Sequence, residues 1–158
     1  DAQTAKVNQA LAGVLPEFDN VPADEAYRVQ VDGRSVTVYP ATKSGIFAGA
    51  AVEAVTTKGF GGPITLMVGF KSDGTIYNTA VISHSETPGL GDKMDPKKSD
   101  FSLQFKDKNP ETFKLAVKKD GGQVDAITAA TISSRAFCDA VNLAYTAFMQ
   151  AAQKGGDQ

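Results

Sequence analysis

The sequence has one cysteine and one histidine among its 158 residues, Cys138 and His84. Zinc and iron–sulfur sites need several such ligands and no C-x-x-C-H haem motif occurs, so we predict no metal site. Any electron chemistry must therefore come from an organic cofactor. Cys138 stands between apolar neighbours, which predicts a small buried residue rather than a nucleophile or half of a disulfide.

Long apolar runs and an excess of positive charge are also missing. The longest mainly apolar window, residues 45–55, is far shorter than the roughly 20 residues of a membrane-spanning helix. The 16 Lys and Arg residues stand against 18 Asp and Glu residues without a basic stripe, so nucleic acid is not an expected partner. The chain begins at Asp1 rather than Met, which leaves room for a signal peptide or an anchor before residue 1.

The length of the chain suits one domain, residues 1–158, with a buried core. Apolar residues at helical and alternating spacings predict a first helix and five strands. The helix covers residues 2–15, and the strands cover 28–32, 35–39, 45–57, 64–70 and 75–82. Segment 45–57 also fits a helix, but Gly45 and Gly49 favour a strand in close contact with a neighbour.

Two hairpins are predicted among these strands. Asp32-Gly33 is a turn signal between the first two strands, and residues 72–74 are a turn signal between the last two. In the second hairpin, Ile76, Ala80 and Ile82 are predicted to share one face.

The second half of the chain predicts a long loop, a sixth strand and a long helix. Residues 84–108 are rich in Gly, Pro, Asp and Lys. Within them, Phe101, Leu103 and Phe105 are predicted to lie against the core, in a strand or a short irregular piece. Residues 113–118 alternate like a strand, and 119–122 form a turn. The helical stripe consists of Ala136, Phe137, Ala140, Val141, Ala144, Tyr145, Phe148 and Met149. We expect an α+β fold with an antiparallel sheet, an N-terminal helix and a long C-terminal helix.

Residues 125–135, directly before the helical stripe, are the first candidate site. Small side chains and hydroxyls leave backbone N–H groups approachable at a helix N-terminus, where the dipole favours an anion such as phosphate. The residues concerned are Ala126, Thr128, Ala129, Ala130, Thr131, Ser133 and Ser134. From these residues alone, an ordinary Ser or Thr cap of an amphipathic helix is the commoner interpretation.

The loop over residues 83–94, which follows the second hairpin, is the second candidate site. Gly89 and Gly91 permit a ligand to approach the backbone closely, and Pro88 stiffens the entry to the loop. An acceptor, a hydroxyl and a cation are supplied by Glu86, Thr87 and Lys93. The alternative is an ordinary Pro-Gly turn.

His84 and Glu86 have the spacing of the H-x-E pair of zinc deaminases. The P-C-x-x-C motif that accompanies that pair is absent, and no G-x-S-x-G nucleophile motif occurs. A lone histidine in a loop is more often a hydrogen-bonded residue than a catalytic base. We therefore assign no catalytic residue and no metal ligand.

Three motifs together resemble a known family. They are His84-x-Glu-Thr-Pro-Gly-Leu-Gly-Asp-Lys93, Gly59-Phe-Gly-Gly-Pro-Ile64, and Asp125-x-x-Thr-Ala-Ala-Thr131 followed by Ser134-Arg135. On these motifs the chain is similar to the FMN-binding domain of the G subunit of the Rnf ion-translocating ferredoxin–NAD oxidoreductase. The same domain occurs in the C subunit of the sodium-pumping NADH–quinone oxidoreductase. Before Gly59 the likeness is one of general character.

The resemblance implies that FMN is joined covalently, through its phosphate, to the threonine that closes a Ser-Gly-Ala-Thr element. The matching residue is Thr131, and Thr128 and Ala129 stand where the family has Ser and Gly. If that position needs a positive φ, alanine is strained there. The other residues implied in cofactor binding are His84, Glu86, Thr87, Gly89, Leu90, Gly91, Lys93, Ala130 and Ser134, with Leu90 against the flavin ring.

A threonine hydroxyl is a poor nucleophile, so the resemblance also implies a separate flavin transferase, without which the chain would lack FMN. It further implies a redox subunit with the other subunits of a membrane electron-transport complex as partners. The domain would lie on the extracytoplasmic face, held by a transmembrane helix before residue 1. The sodium-pump C subunit is the nearest alternative. Two others are a non-catalytic extracytoplasmic module that binds a phosphorylated ligand reversibly, and a flavin-dependent reductase acting alone.

Overall fold

A computed structural model of the chain describes residues 2–156, with side chains described for residues 5–151. Within that range the fold has two α-helices and one five-stranded antiparallel sheet, which confirms the predicted α+β class. The helices are α1 (Ala2–Val14) and α2 (Thr131–Gly156), and the strands are β1 (Tyr27–Val31), β2 (Arg34–Lys43), β3 (Ile46–Thr56), β4 (Ile64–Lys71) and β5 (Ile76–Ser83). Neither described helix combines the length and the apolar character needed to cross a membrane.

The sheet is a meander in the order β1-β2-β3-β4-β5. Both predicted hairpins and the strand predicted over 45–57 are confirmed. The prediction that Ile76, Ala80 and Ile82 share a face of β5 is wrong. Phe70 pairs with Ile76 but Gly69 pairs with Asn78, so β5 carries an extra residue between these two pairs and its side chains change face after Ile76. A second extra residue lies between Val81 and Ser83, which pair with Leu66 and Thr65. Ile76 therefore packs on the α2 side of the sheet, and Ile82 on the α1 side.

The two helices cover opposite faces of the sheet. The predicted apolar stripe of α2 is confirmed, because its members lie in one core with β3 and β4 and Phe148 stacks on Phe70 with a centroid distance of 4.9 Å. Each large side chain buried in this way stabilises the fold by roughly 1.5–3 kcal/mol. On the other face, Leu11 and Val14 of α1 pack against Met67. The packing of α2 on the sheet holds the start of this helix in place relative to the strands.

The segment between β5 and α2 is irregular. It contains short 3-10 helices at Gly91–Met94, Phe101–Phe105 and Lys118–Asp120, so 101–105 is a short piece and not a strand. Phe101 and Phe105 lie in the core as predicted, but Leu103 is exposed, because successive turns of the helix do not place all three on one side. The strand predicted over 113–118 is wrong. Val117 makes a single isolated bridge to Val124, a few residues further along the same chain.

The alternation at 113–118 has a different cause. Leu115 and Val117 are buried in the same core as α2, and the side-chain amide of Asn142 in α2 donates to the Leu115 carbonyl at 2.8 Å. Alternate residues therefore face α2, although no neighbouring strand pairs with them within the described range. Cys138, also on α2, is 4% exposed and burial raises the pKa of its thiol to about 12, which confirms the predicted small buried residue.

Candidate functional site

A tight turn leads into α2 and fixes the backbone of the first candidate segment. The Ala130 N–H donates to the Ile127 carbonyl at 3.0 Å and closes a four-residue turn whose third residue is Ala129. Ala129 has a φ of 62°, a left-handed conformation that costs an L-residue roughly 1–2 kcal/mol. A type II turn requires a positive φ at its third position, where glycine is usual. Alanine here stands in a conformation that favours glycine.

Ser134 holds this turn from inside α2. Its hydroxyl accepts the Ile127 N–H at 2.9 Å and donates to the Ala130 carbonyl at 2.9 Å. The Ser134 N–H donates to the same Ala130 carbonyl at 3.1 Å, as the first hydrogen bond of the helix. Because Ser134 is fully buried and its hydroxyl is used twice, it braces the turn rather than facing the surface.

The remaining hydroxyls of the segment have three different surroundings. Thr131 is the first residue of α2 and is half-buried. Ser133 is 3% exposed and donates to Glu86 Oε1 at 2.5 Å. Thr128 is exposed and lines a cleft that it shares with Lys93.

The loop after β5 is braced by a carboxylate of its own. Asp92 Oδ1 accepts the Gly89 N–H at 2.9 Å, and Asp92 Oδ2 accepts the Lys98 ammonium at 3.0 Å. The Lys98 hydrogen bond is the main reason that the pKa of Asp92 lies below its usual value. His84 Nδ1 accepts the Glu86 N–H at 3.0 Å, so this ring nitrogen supports the loop backbone.

Glu86 joins this loop to two other parts of the chain. Its Oε1 accepts the Phe60 N–H and its Oε2 accepts the Gly61 N–H, both at 2.8 Å, in addition to the Ser133 hydroxyl. The side chain is only 5% exposed. Burial would raise the pKa of Glu86, but the hydrogen bonds from Ser133, Gly61 and Phe60 outweigh burial and the pKa lies below its usual value. Glu86 is therefore a buried carboxylate that stays ionised at neutral pH.

The two candidate segments face each other across an open cleft of about 340 Å³. The cleft is lined by Phe60, Thr87, Leu90, Gly91, Ala129, Ala130, Thr131, Ile132 and Ser133. Its rim is apolar, since Phe60 is 67% exposed, Leu90 38% and Ile132 48%. Large apolar side chains that gather around one opening are typical of a binding site rather than of a solvated surface.

Half of the residues predicted to bind a cofactor line this cleft. They are Thr87, Leu90, Gly91, Ala129, Ala130 and Thr131. The other six do not line it: Glu86 and Ser134 are buried behind it, His84 and Gly89 make hydrogen bonds within the loop, and Lys93 and Thr128 line the neighbouring cleft.

Three residues that line the cleft were not among the predicted cofactor-binding residues. Phe60 belongs to the Gly59–Ile64 motif, and a large aromatic residue in a glycine-rich loop was the available signal. Ile132 is an apolar residue outside the buried stripe of α2, which was a second signal. Ser133 was named as a hydroxyl of the first candidate site, but nothing in the sequence distinguished it from its neighbours, because its role depends on its contact with Glu86.

The start of α2 gives the cleft an electrostatic preference. Residues 131–133 precede the first helical hydrogen bond, which Ser134 donates to Ala130, so their N–H groups have no carbonyl partner within the helix. These donors and the helix dipole favour negative charge beside Thr131. The cleft therefore suits a ligand that has an anionic group at the helix and a flat apolar group against the rim.

Comparison with known proteins assigns both sides of the cleft to one family. Residues 59–146, more than half of the chain, match the family described as FMN-binding domain. The matched stretch begins at the loop that carries Phe60 and ends inside α2, so it contains every residue that lines the cleft.

Curated relatives extend the match toward the N-terminus. The G subunit of the ion-translocating oxidoreductase complex of Shewanella piezotolerans is 40% identical over 94% of this chain and 75% of its own length. The proteins of the same name from Pseudoalteromonas atlantica and Stutzerimonas stutzeri are 45% and 37% identical, over 66% and 89% of this chain and 50% and 64% of their own lengths. The chain thus spans between one half and three quarters of the length of these relatives. It belongs to the FMN-binding domain family and to the family of G subunits of ion-translocating oxidoreductase complexes.

Proposed function

We propose that this chain is an electron-transfer subunit of a Rnf-type ion-translocating membrane oxidoreductase and carries FMN covalently on Thr131. One observation carries the proposal: Thr131, the first residue of α2, lines an apolar-rimmed cleft opposite Leu90 and Gly91. Bound flavin supplies the redox chemistry, and the chain holds the flavin, orients it and excludes water from one side of it. The name of the relatives supports assignment as a G subunit over assignment as the sodium-pump C subunit.

The surroundings of the hydroxyls support Thr131 as the acceptor. Ser133 and Ser134 are buried and already donate hydrogen bonds, and Thr128 lines a different cleft. Attachment forms a bond between Thr131 Oγ1 and the flavin phosphorus, while the hydroxyl proton and the leaving group of an activated flavin phosphate depart. No electron is transferred in this step. A separate flavin transferase would supply the base and the activated donor, because a threonine hydroxyl is a weak nucleophile.

The polar and apolar parts of the cleft fit the two ends of FMN. The phosphodiester would keep one negative charge beside the N–H groups of residues 131–133 and the positive end of the α2 dipole. The flavin ring would lie against the apolar rim formed by Phe60, Leu90 and Ile132. A ring held in an open cleft keeps an edge toward solvent, which an electron-transfer partner needs to approach it.

The assembly and location of the chain belong to the same proposal. We propose that residues 1–158 act as one FMN-binding domain on the extracytoplasmic face of the membrane, in contact with other subunits of the complex. Both α1 and α2 pack on the same sheet, which supports the proposal of a single domain. The relatives' name, which is that of a complex subunit, supports the partners.

Thr131→Ala tests the acceptor directly. Co-expression of the wild-type chain with a flavin transferase should add the mass of one FMN, and the protein should stay yellow after denaturation. Thr131→Ala should remove both the added mass and the colour, because no other hydroxyl of residues 125–135 lines the cleft with its oxygen free. Intact-mass spectrometry measures this.

Thr128→Ala is the matched control, because Thr128 is a nearby exposed threonine that lines the neighbouring cleft. It should keep the full flavin mass. Flavin retained in Thr131→Ala would show that the acceptor is another residue. Reversible uptake of a phosphorylated ligand without a flavin spectrum would instead favour the phospholigand-binding module.

A further inference from the structure

The two sides of the cleft come from distant parts of the sequence and meet at one buried side chain. Phe60 and Gly61 lie in the loop before β4, and Ser133 lies in the first turn of α2. All three donate hydrogen bonds to Glu86, which comes from the loop after β5. We call these four residues the Glu86 bridge.

We propose that Glu86 is a positioning residue of the cleft, whose carboxylate ties the Phe60–Gly61 backbone to Ser133 of α2 and so sets the width of the cleft. The proposal concerns the shape of the cleft, and its consequence for a flavin depends on the function proposed above. Glu86 would then act through Phe60 and α2 rather than by contact with the ligand.

The hydrogen bonds of Glu86 leave it little capacity to bind a ligand. Oε1 accepts from Phe60 and Ser133, and Oε2 accepts from Gly61, with the side chain only 5% exposed. A buried carboxylate is costly unless it is satisfied by such donors. Three converging donors therefore hold one buried charge in one place.

The backbone packing around the bridge is equally close. A Cβ added at Gly91 would overlap the Ser133 hydroxyl and Glu86 Cβ, and one added at Gly61 would overlap the Ser85 carbonyl. Two glycines are thus needed to bring the loops and α2 within reach of the same carboxylate. The separation of these elements is fixed by contact on both sides of Glu86.

The Glu86 bridge holds a part of the cleft wall that side-chain packing leaves free. The Phe60 side chain is 67% exposed, so little packing holds it, and the hydrogen bond from the Phe60 N–H to Glu86 holds its backbone. On the other side, Ser133 is the neighbour in sequence of Ile132 and follows Thr131 by two residues. A change in the bridge should therefore alter the distance between Phe60 and the start of α2.

Glu86→Gln tests the bridge without requiring any flavin. Glutamine keeps the shape but turns an NH2 group toward either Phe60 N–H or Gly61 N–H, whichever way the amide is oriented. Amide hydrogen exchange measured by NMR should accelerate about tenfold or more at one or both of these residues, relative to amides of β3 and β4. Unchanged relative exchange at both residues would overturn the proposal.

Glu53→Gln is the matched control, because it is the same substitution elsewhere in the fold. Glu53 is a half-buried carboxylate of β3 that accepts a hydrogen bond from the Tyr39 hydroxyl at 3.3 Å and does not line the cleft. This variant should leave the exchange of Phe60 and Gly61 unchanged relative to β3 and β4. Equal relative acceleration in Glu53→Gln and Glu86→Gln would also overturn the proposal, since the effect would then not be specific to the bridge.

A second measurement uses the flavin-loaded protein. Glu86→Gln and the milder Ser133→Ala, which removes one of the three donors, should both shift the absorption bands of the attached flavin, whereas Glu53→Gln should not. An identical spectrum in all variants would overturn the positioning role. A wild-type chain that takes up no flavin would overturn the proposed function instead, and the exchange rates would still decide the role of Glu86.

Discussion

Ala129 carries local strain two residues before the proposed attachment point. Its φ of 62° places a Cβ in the left-handed region, at the third position of the turn that leads into α2. Strain of this kind persists where the surroundings hold the backbone in place. Ser134 supplies that constraint, because its buried hydroxyl binds both Ile127 and Ala130. The orientation of Thr131 toward the cleft thus depends on a strained turn and on the serine that holds it.

Ala129→Gly should stabilise the protein. The left-handed conformation costs alanine roughly 1–2 kcal/mol. The greater freedom of glycine in the unfolded chain cancels roughly 0.4–1 kcal/mol of the gain. We expect the free energy of unfolding, measured by urea denaturation, to rise by about 0.5 kcal/mol.

Ala126→Gly is the control for this measurement. Ala126 is an exposed alanine of the same segment and does not have a positive φ. Glycine there brings the entropy cost without relief of strain, so the free energy of unfolding should fall by about 0.4–1 kcal/mol. Equal losses in the two variants would show that Ala129 is not strained in solution.

At the scale of elements, the cleft lies between a loop and the start of a helix that are held in different ways. α2 is fixed by its buried stripe on the sheet, whereas the loop that carries Leu90 is fixed by polar contacts of Glu86 and Asp92. Leu90 itself is 38% exposed and lines the cleft. The loop therefore presents an apolar side chain whose replacement does not disturb the core.

Leu90→Glu should perturb the flavin without unfolding the domain. A carboxylate beside the ring disfavours negative charge on the reduced flavin, so the midpoint potential should become more negative and the absorption bands should shift. The thermal midpoint of unfolding should change little, because surface substitutions usually alter stability by about 0.5 kcal/mol or less. Potentiometry and thermal denaturation test the two parts separately.

Leu103→Glu is the control variant for charge and exposure. Leu103 is a 48% exposed leucine in the 3-10 helix Phe101–Phe105 and does not line the cleft. Its replacement should leave the flavin potential and spectrum unchanged. If Leu90→Glu behaves in the same way as this control, Leu90 does not contact the flavin.

At the scale of the whole molecule, local sequence patterns were sufficient for most of the fold. Alternation and the turn signals defined the two hairpins, and the period of α2 defined the face that meets the sheet. The errors at β5 and at 113–118 have different causes. The extra residue after Ile76 in β5 has no local signature, and the alternation at 113–118 reflects burial against α2 rather than strand pairing.

The candidate site was predictable in location but not in the division of roles. The motifs identified both segments that face the cleft, because glycines and small residues signal close backbone approach. They grouped Glu86 with the cofactor-binding residues, although Glu86 is buried beside the cleft and does not line it. That distinction depends on Phe60 and Ser133, two donors that lie far from each other in the sequence.

Ionised carboxylates bind α2 to the rest of the molecule through hydrogen bonds and ion pairs, so acid should destabilise the fold. Burial raises the pKa of Asp139, but hydrogen bonds from Arg34, Thr56 and Lys58 outweigh burial and hold the pKa below its usual value. A pKa that is lower in the folded state than in the unfolded state contributes stability above the unfolded pKa, about 3.9 for Asp. This contribution is lost as the pH falls through the folded pKa. The pKa of Glu86 is also below its usual value in the fold, so its contribution to stability is likewise lost in acid.

Urea denaturation at about pH 7, 5 and 3 tests this dependence. The urea midpoint of the wild-type chain should decrease as the pH is lowered from 5 to 3. In this range Asp139 and Glu86 bind protons more tightly in the unfolded chain than in the fold. Asp139→Asn should begin with a lower midpoint at pH 7, because Arg34 and Lys58 lose their charged partner. Its urea midpoint should then decrease less on acidification, because asparagine does not titrate. A loss equal to that of the wild-type chain would place the acid-sensitive contacts elsewhere in the molecule.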